Sequence, residues 1–151
     1  MNEYMKEAIK EAQAGIRAGH GGPFGSVVVR NGKIIGRGHN EVVKNHDPIC
    51  HGEVMAIRDA CKNIDDFSLK GCEIYTTSEP CPMCLGAIMW ANIENVYYGC
   101  TIADSEDIGF RDNDFYKVLR GEGGIGLNEL DRDACLEVFA EYASIEDKTN
   151  Y

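Results

Sequence analysis

A chain of 151 residues has room for one domain with a full hydrophobic core, and 44% apolar with 26% charged residues excludes an intrinsically disordered chain. The formal net charge is −10 and no basic block interrupts the sequence, which argues against a protein that grips tRNA or DNA through its phosphates. No apolar run approaches the length of a membrane span, so no membrane partner is expected.

The first residues, MNEYMKEAIKEAQ, lack the basic start and apolar run of a signal peptide. Within residues 2–18, Tyr4, Met5, Ala8, Ile9, Ala12 and Ile16 repeat at a helical period, which Gly19 to Gly22 end. Phe24 to Val29 is apolar and β-branched, Asn31-Gly32 is a hairpin turn signal, and Lys33 to His39 resumes as a strand. Val54 to Cys61 reads as a helix whose start lies near His51, and Cys72 to Thr77 reads as a strand. Pro82 suits a first helical position, Met83 to Trp90 continues that helix, and Glu94 to Cys100 is a further strand. The helix–strand–helix–strand order implies parallel pairing. A short helix is expected within Asp104 to Arg120, a fifth strand near Ile125 to Leu130, and a last helix from about Asp131 to Tyr142. The fold class that follows is α/β: a three-layer α/β/α domain spanning 1–151 with a mixed five-stranded sheet.

Seven cysteines make an intramolecular disulfide framework incomplete and point to a reducing, cytoplasmic setting. Two fragments remain to be explained, His51-Gly52-Glu53 and Pro80-Cys81-Pro82-Met83-Cys84, each opening an expected helix. A structural zinc closes with four protein ligands, whereas a catalytic zinc takes three and leaves one position for water. His51, Cys81 and Cys84 supply the three-ligand set, for one zinc per chain. The cysteines are three residues apart, so they share a helix face, and a helix start favours their thiolate forms. Glu53 is the candidate general acid–base, addressing the water from another side than His51. Rival readings are a redox-active Cys-x-x-Cys and a closed structural zinc with Cys50 as fourth ligand.

His-x-Glu followed by Pro-Cys-x-x-Cys is the signature of zinc nucleobase deaminases. With GGPFGSVVV (21–29), HGEVMAIRDAC (51–61), YTTSEPCPMCLGAIMWA (75–91) and IGFRDNDFY (108–116), the sequence resembles the cytidine deaminase-like superfamily, and within it the small bacterial guanine deaminases. The resemblance implies that Asn40 hydrogen-bonds the base, that Phe24 lies beneath it, and that Gly52, Trp90, Phe110 and Asp112 belong to the substrate site. It also implies a homodimer in which the C-terminal segment, residues 131–151, crosses to the neighbour and ends in a tyrosine, here Tyr151. Read without the resemblance, Asn40 is a strand-end residue, Phe24 and Trp90 are core, Asp112 is part of a solvated acidic run, and Tyr151 is a frayed terminus.

The expected activity is hydrolytic deamination of a free nucleobase, guanine to xanthine plus ammonia. His-Gly-Glu at 51–53 and GRGHN at 36–40 resemble fungal cytosine deaminase, so cytosine is the alternative substrate. A tRNA adenosine deaminase and a non-catalytic zinc or redox module are the further alternatives.

Overall fold

The computed structural model describes all residues, Met1–Tyr151. The chain opens with α1 (Glu3–Arg17), which Asn2 caps by accepting from the Tyr4 and Met5 amides. Strands β1 (Gly25–Arg30) and β2 (Lys33–His39) form a hairpin through Asn31-Gly32. Both turn residues have positive φ, 50° and 73°, as a type I′ turn requires. A short α2 (Val42–Asn45) precedes α3 (Gly52–Ile64), β3 (Cys72–Ser78), α4 (Pro82–Trp90) and β4 (Asn95–Cys100). Helices α5 (Ile102–Asp107), α6 (Asp112–Leu119) and α7 (Arg132–Ala143) complete the chain.

The sheet order is β2-β1-β3-β4. β1 runs antiparallel to β2 and β3, while β3 and β4 are parallel, as their helical crossover demands. Alternation along the strands divides the core. Val28 and Ile74 face α3 and α4, where Ala56, Ala60 and Ile88 meet them. Val27, Val29 and Tyr75 face α1 through Ala8. These are the three expected layers of a cytidine deaminase-like fold.

The sheet has four strands, not five. Residues 125–130 form no strand, and every residue from 119 to 147 is exposed. A β-type sequence needs a neighbour to pair with, and nothing pairs with the outer edge of β4. α7 forms as expected but keeps Val138 and Phe139 in solvent. Apolar side chains on this scale are seldom left in water. No helix is long and apolar enough to cross a membrane.

One end of the sheet gathers the points where chemistry can be built. Phe24 lies just before β1, Asn40 just after β2, and Ser78 closes β3, while α3 and α4 start at the same end. Ligand sites of open α/β sheets collect at such strand ends.

Candidate active site

His51 and Cys81 are the N-cap residues of α3 and α4, and Cys84 sits in the first turn of α4 behind Pro82. His51 Nδ1 lies 3.6 Å from Cys81 Sγ and 3.5 Å from Cys84 Sγ. Tetrahedral zinc with ordinary bonds to nitrogen and sulfur separates such atoms by about 3.5 Å. The donor set therefore fits one zinc ion per chain, and His51 and Cys81 also line a cleft. Cys50 stands outside this group and engages Asp47 and Asn45 instead, so it is not a fourth ligand.

The electrostatics suit a cation. The Cys81 thiol is lowered to about 4, first by the Cys84 thiol bonded to it and, against burial, by His51. The resulting thiolate pushes Cys84 up, as burial also does. His51 is raised by its bond to Cys81, opposed by burial. Helix starts supply positive potential to the same spot. Glu53, the second residue of α3, is 5% exposed, and burial raises its pKa, with the Cys81 thiolate adding to the shift.

A cleft of about 320 Å³, including space open to solvent, lies over these groups. Its lining includes Phe24, Asn40, His51, Glu53, Cys81, Ser78, Glu79, Phe110 and Asp112. Phe24 and Phe110 meet edge to face, with centroids 4.7 Å apart. Gly21 and Gly22 leave room for this wall: a Cβ on Gly21 would fall 2.0 Å from Asn40 Oδ1, and one on Gly22 2.7 Å from the Phe110 ring. Asn40 is buried, and its Oδ1 accepts from the Val42 amide at 3.1 Å, which leaves the Nδ2 donors for a ligand. Asp112 opens α6, and burial raises its carboxyl above the usual range.

The structure thus gathers Phe24, Asn40, His51, Glu53, Cys81, Phe110 and Asp112 around one cleft, with Cys84 beneath it. Gly52 and Trp90 fall elsewhere, and Tyr151, expected at a neighbour's cleft, lies on the surface of its own chain. Gly52 does not line the cleft; its Cα packs on the Phe24 carbonyl, where a Cβ would come to 2.9 Å. Trp90 ends α4, about 13 Å of helix away from Cys81, and is 68% exposed. Tyr151 lies against Trp90, with ring centroids 5.9 Å apart, and does not reach the cleft of its own chain.

Sequence reasoning missed Ser78, Glu79 and Tyr116. Glu79 lines the cleft and its carboxylate accepts from the Ile102 amide, which ties α5 to the end of β3. Ser78 bonds Ser105 at 2.8 Å, and the Tyr116 hydroxyl donates to the Pro80 carbonyl. The one available signal was adjacency: Ser78 and Glu79 immediately precede Pro80-Cys81.

The family described as the cytidine and deoxycytidylate deaminase zinc-binding region matches residues 1–100. The chain belongs to this family and is a zinc-dependent deaminase. Among its relatives, a guanine deaminase of Bacillus subtilis (strain 168) is 47% identical over 116 residues, covering 77% of this chain and 74% of that protein. The X-ray structure of guanine deaminase from Bacillus subtilis superposes with a TM-score of 0.93 at 40% identity, over 100% of this chain and 99% of that one. A tRNA-specific adenosine deaminase of Bacillus subtilis (strain 168) is 45% identical over 96 residues, covering 64% of this chain and 59% of that protein.

Proposed function

We propose that this chain deaminates free guanine at C2 to give xanthine and ammonia. The observation that carries the reading is Asp112, a carboxylate in the same cleft as the zinc triad. Guanine presents the N1 proton and the C2 amine side by side, both donors, and a carboxylate accepts both at once. Cytosine presents a lone pair beside its amine, which the same carboxylate would repel. Gly52, the residue that resembled cytosine deaminases, packs behind Phe24 and is not in a position to read a base. The guanine deaminase relatives support the choice.

His51, Cys81 and Cys84 hold the zinc, which supplies a Lewis acid able to lower the pKa of a bound water to about 7. Glu53 takes the proton of the attacking water and passes it to the departing amine. Phe24 and Phe110 flank the flat ring, and Asn40 donates through Nδ2 to a ring acceptor. Asp112 orients the edge that carries the amine. The chemistry is general acid–base hydrolysis on a positioned base.

We infer further that two copies pair, each covering the other with an exposed arm, residues 121–151, which extends the expected 131–151. The exposed Ile125, Leu127, Leu130 and Phe139, the open edge of β4, and an apolar groove beside the cleft lined by Val43, Met83 and Phe115 support this. Trp90 and Tyr151, adjacent on the surface, then serve a cleft only from the partner copy. Seven cysteines without a disulfide fit the reducing cytoplasm. The net charge of −10 argues against tRNA as substrate.

The test is ammonia release by the zinc-loaded protein from guanine, cytosine, adenine and their nucleosides. Guanine is expected to be turned over fastest. Preference for cytosine would overturn the substrate and leave the zinc chemistry standing.

A further inference from the structure

Outside the cleft, three segments bring a second set of metal-binding side chains together. His20 follows the end of α1, His39 ends β2, and Glu41 precedes α2. His20 Nδ1 lies 2.9 Å from His39 Nε2, and His39 Nε2 lies 3.6 Å from Glu41 Oε1. All three ligand atoms fall within 4.8 Å of one another, and all three residues are half-buried. Imidazole and carboxylate ligands on one tetrahedral divalent ion stand about 3.3 Å apart, and the observed spacings bracket that value.

A second shell is already in place. His39 Nδ1 lies 3.2 Å from a Glu11 carboxylate oxygen on α1. That carboxylate fixes the proton on Nδ1 and leaves Nε2 as a lone pair turned towards His20 and Glu41, the carboxylate–histidine arrangement of metal sites. His20 Nδ1–H then donates to that lone pair. Gly15 of α1 makes the arrangement fit, since a Cβ there would stand 2.7 Å from the His39 ring. Glu41 stays ionised: burial raises its carboxyl, but bonds from Lys44 and Asn45 outweigh this and lower it. Lys44 shares Glu41 Oε1 at 3.1 Å on an exposed side chain that can turn into solvent.

We propose that His20, His39 and Glu41 bind a second divalent transition-metal ion, distinct from the zinc of the cleft. Two imidazoles and one carboxylate select zinc, cobalt or nickel over magnesium or calcium. Binding moves the His20 proton from Nδ1 to Nε2 and leaves a fourth position for water. The ion joins the end of α1, the end of β2 and the start of α2. The His20 carbonyl already accepts from the Val43 and Lys44 amides, and Asn40 sits between two of the ligands. A metal here clamps the segment that presents the Asn40 amide to the cleft.

The experiment titrates Co²⁺ into full-length protein brought to one zinc per chain, then measures zinc and cobalt content and the visible spectrum. The proposal expects one cobalt per chain beside an unchanged zinc, with ligand-field bands but no thiolate-to-cobalt charge-transfer bands, and a raised Tm. His20→Asn and Glu41→Gln are each expected to weaken cobalt binding at least tenfold with zinc content unchanged. No cobalt uptake beyond exchange for zinc would overturn the proposal, as would uptake that survives both substitutions.

Discussion

The Tyr116 hydroxyl donates to the Pro80 carbonyl at 2.6 Å, and this bond ties α6 to the turn that carries Cys81. Tyr116 lies four residues after Asp112, so both project from one face of α6. The bond therefore fixes the carboxylate of Asp112 relative to a zinc ligand. Tyr116→Phe removes one hydrogen bond, worth about 0.5–1.5 kcal/mol net. Guanine kcat/KM is expected to fall about three- to tenfold with zinc content unchanged. Steady-state kinetics with metal analysis checks this, and unaltered kinetics would remove Tyr116 from the positioning of the site.

Asp112 itself is the proposed reader of the guanine edge. Asp112→Ala leaves two donors of the bound base unpaired, at about 1–3 kcal/mol, so guanine turnover should fall ten- to a hundredfold or more. Zinc content should hold. Parallel assays on guanine and cytosine decide the matter, because equal losses on both bases would mean that Asp112 supports the fold and does not select the base.

The elements legible in the sequence were those whose local signals agree with their packing. The hairpin announced itself in Asn31-Gly32, and α4 in Pro82, because turn and cap chemistry act within a few residues. The zinc set was legible because His51 and Cys81 each open a helix, Cys84 follows in the first turn of the second, and few other chemistries need that trio. Residues 125–130 misled because Ile125, Leu127 and Leu130 read as a strand, while strand formation depends on a partner that the chain itself does not provide. The short α2 and α5 carry too few turns to show a period. Trp90 was named through resemblance, which assigned it to a site without saying which subunit's, whereas Tyr151 was assigned to the neighbour's cleft from the start. Glu79 was passed over because a lone carboxylate carries no signal until the fold sets it beside the cleft.

The terminal arm gives a third prediction. Residues 119–147 are exposed, so removing 121–151 should leave the body folded and zinc-bound. Light scattering is expected to report a dimer for the full chain and a monomer for the truncated one, with guanine turnover lost in the latter. A full chain that is monomeric and active would refute the exchange of arms.

A fourth prediction concerns pH. The Thr101 backbone amide, then its hydroxyl, hold the Asp104 carboxyl below its ordinary value of 3.8, as the reciprocal cap at the start of α5. A depressed carboxylate contributes stability that is complete above its unfolded value and is lost as pH falls through the folded one. Asp104→Ala should therefore lower Tm at neutral pH, and the gap to the parent should close as the pH drops below 3.8. Thermal melts of both proteins across that range provide the check.

The central claim is that zinc held by His51, Cys81 and Cys84 and a proton carried by Glu53 deaminate guanine. It is tested most directly by following xanthine formation from guanine with zinc-loaded parent and Glu53→Gln proteins side by side. The account predicts turnover by the parent and a loss of at least about 10²-fold in the variant, at equal zinc content, the size typical of general acid–base catalysis. Turnover by Glu53→Gln at the parental rate would contradict it.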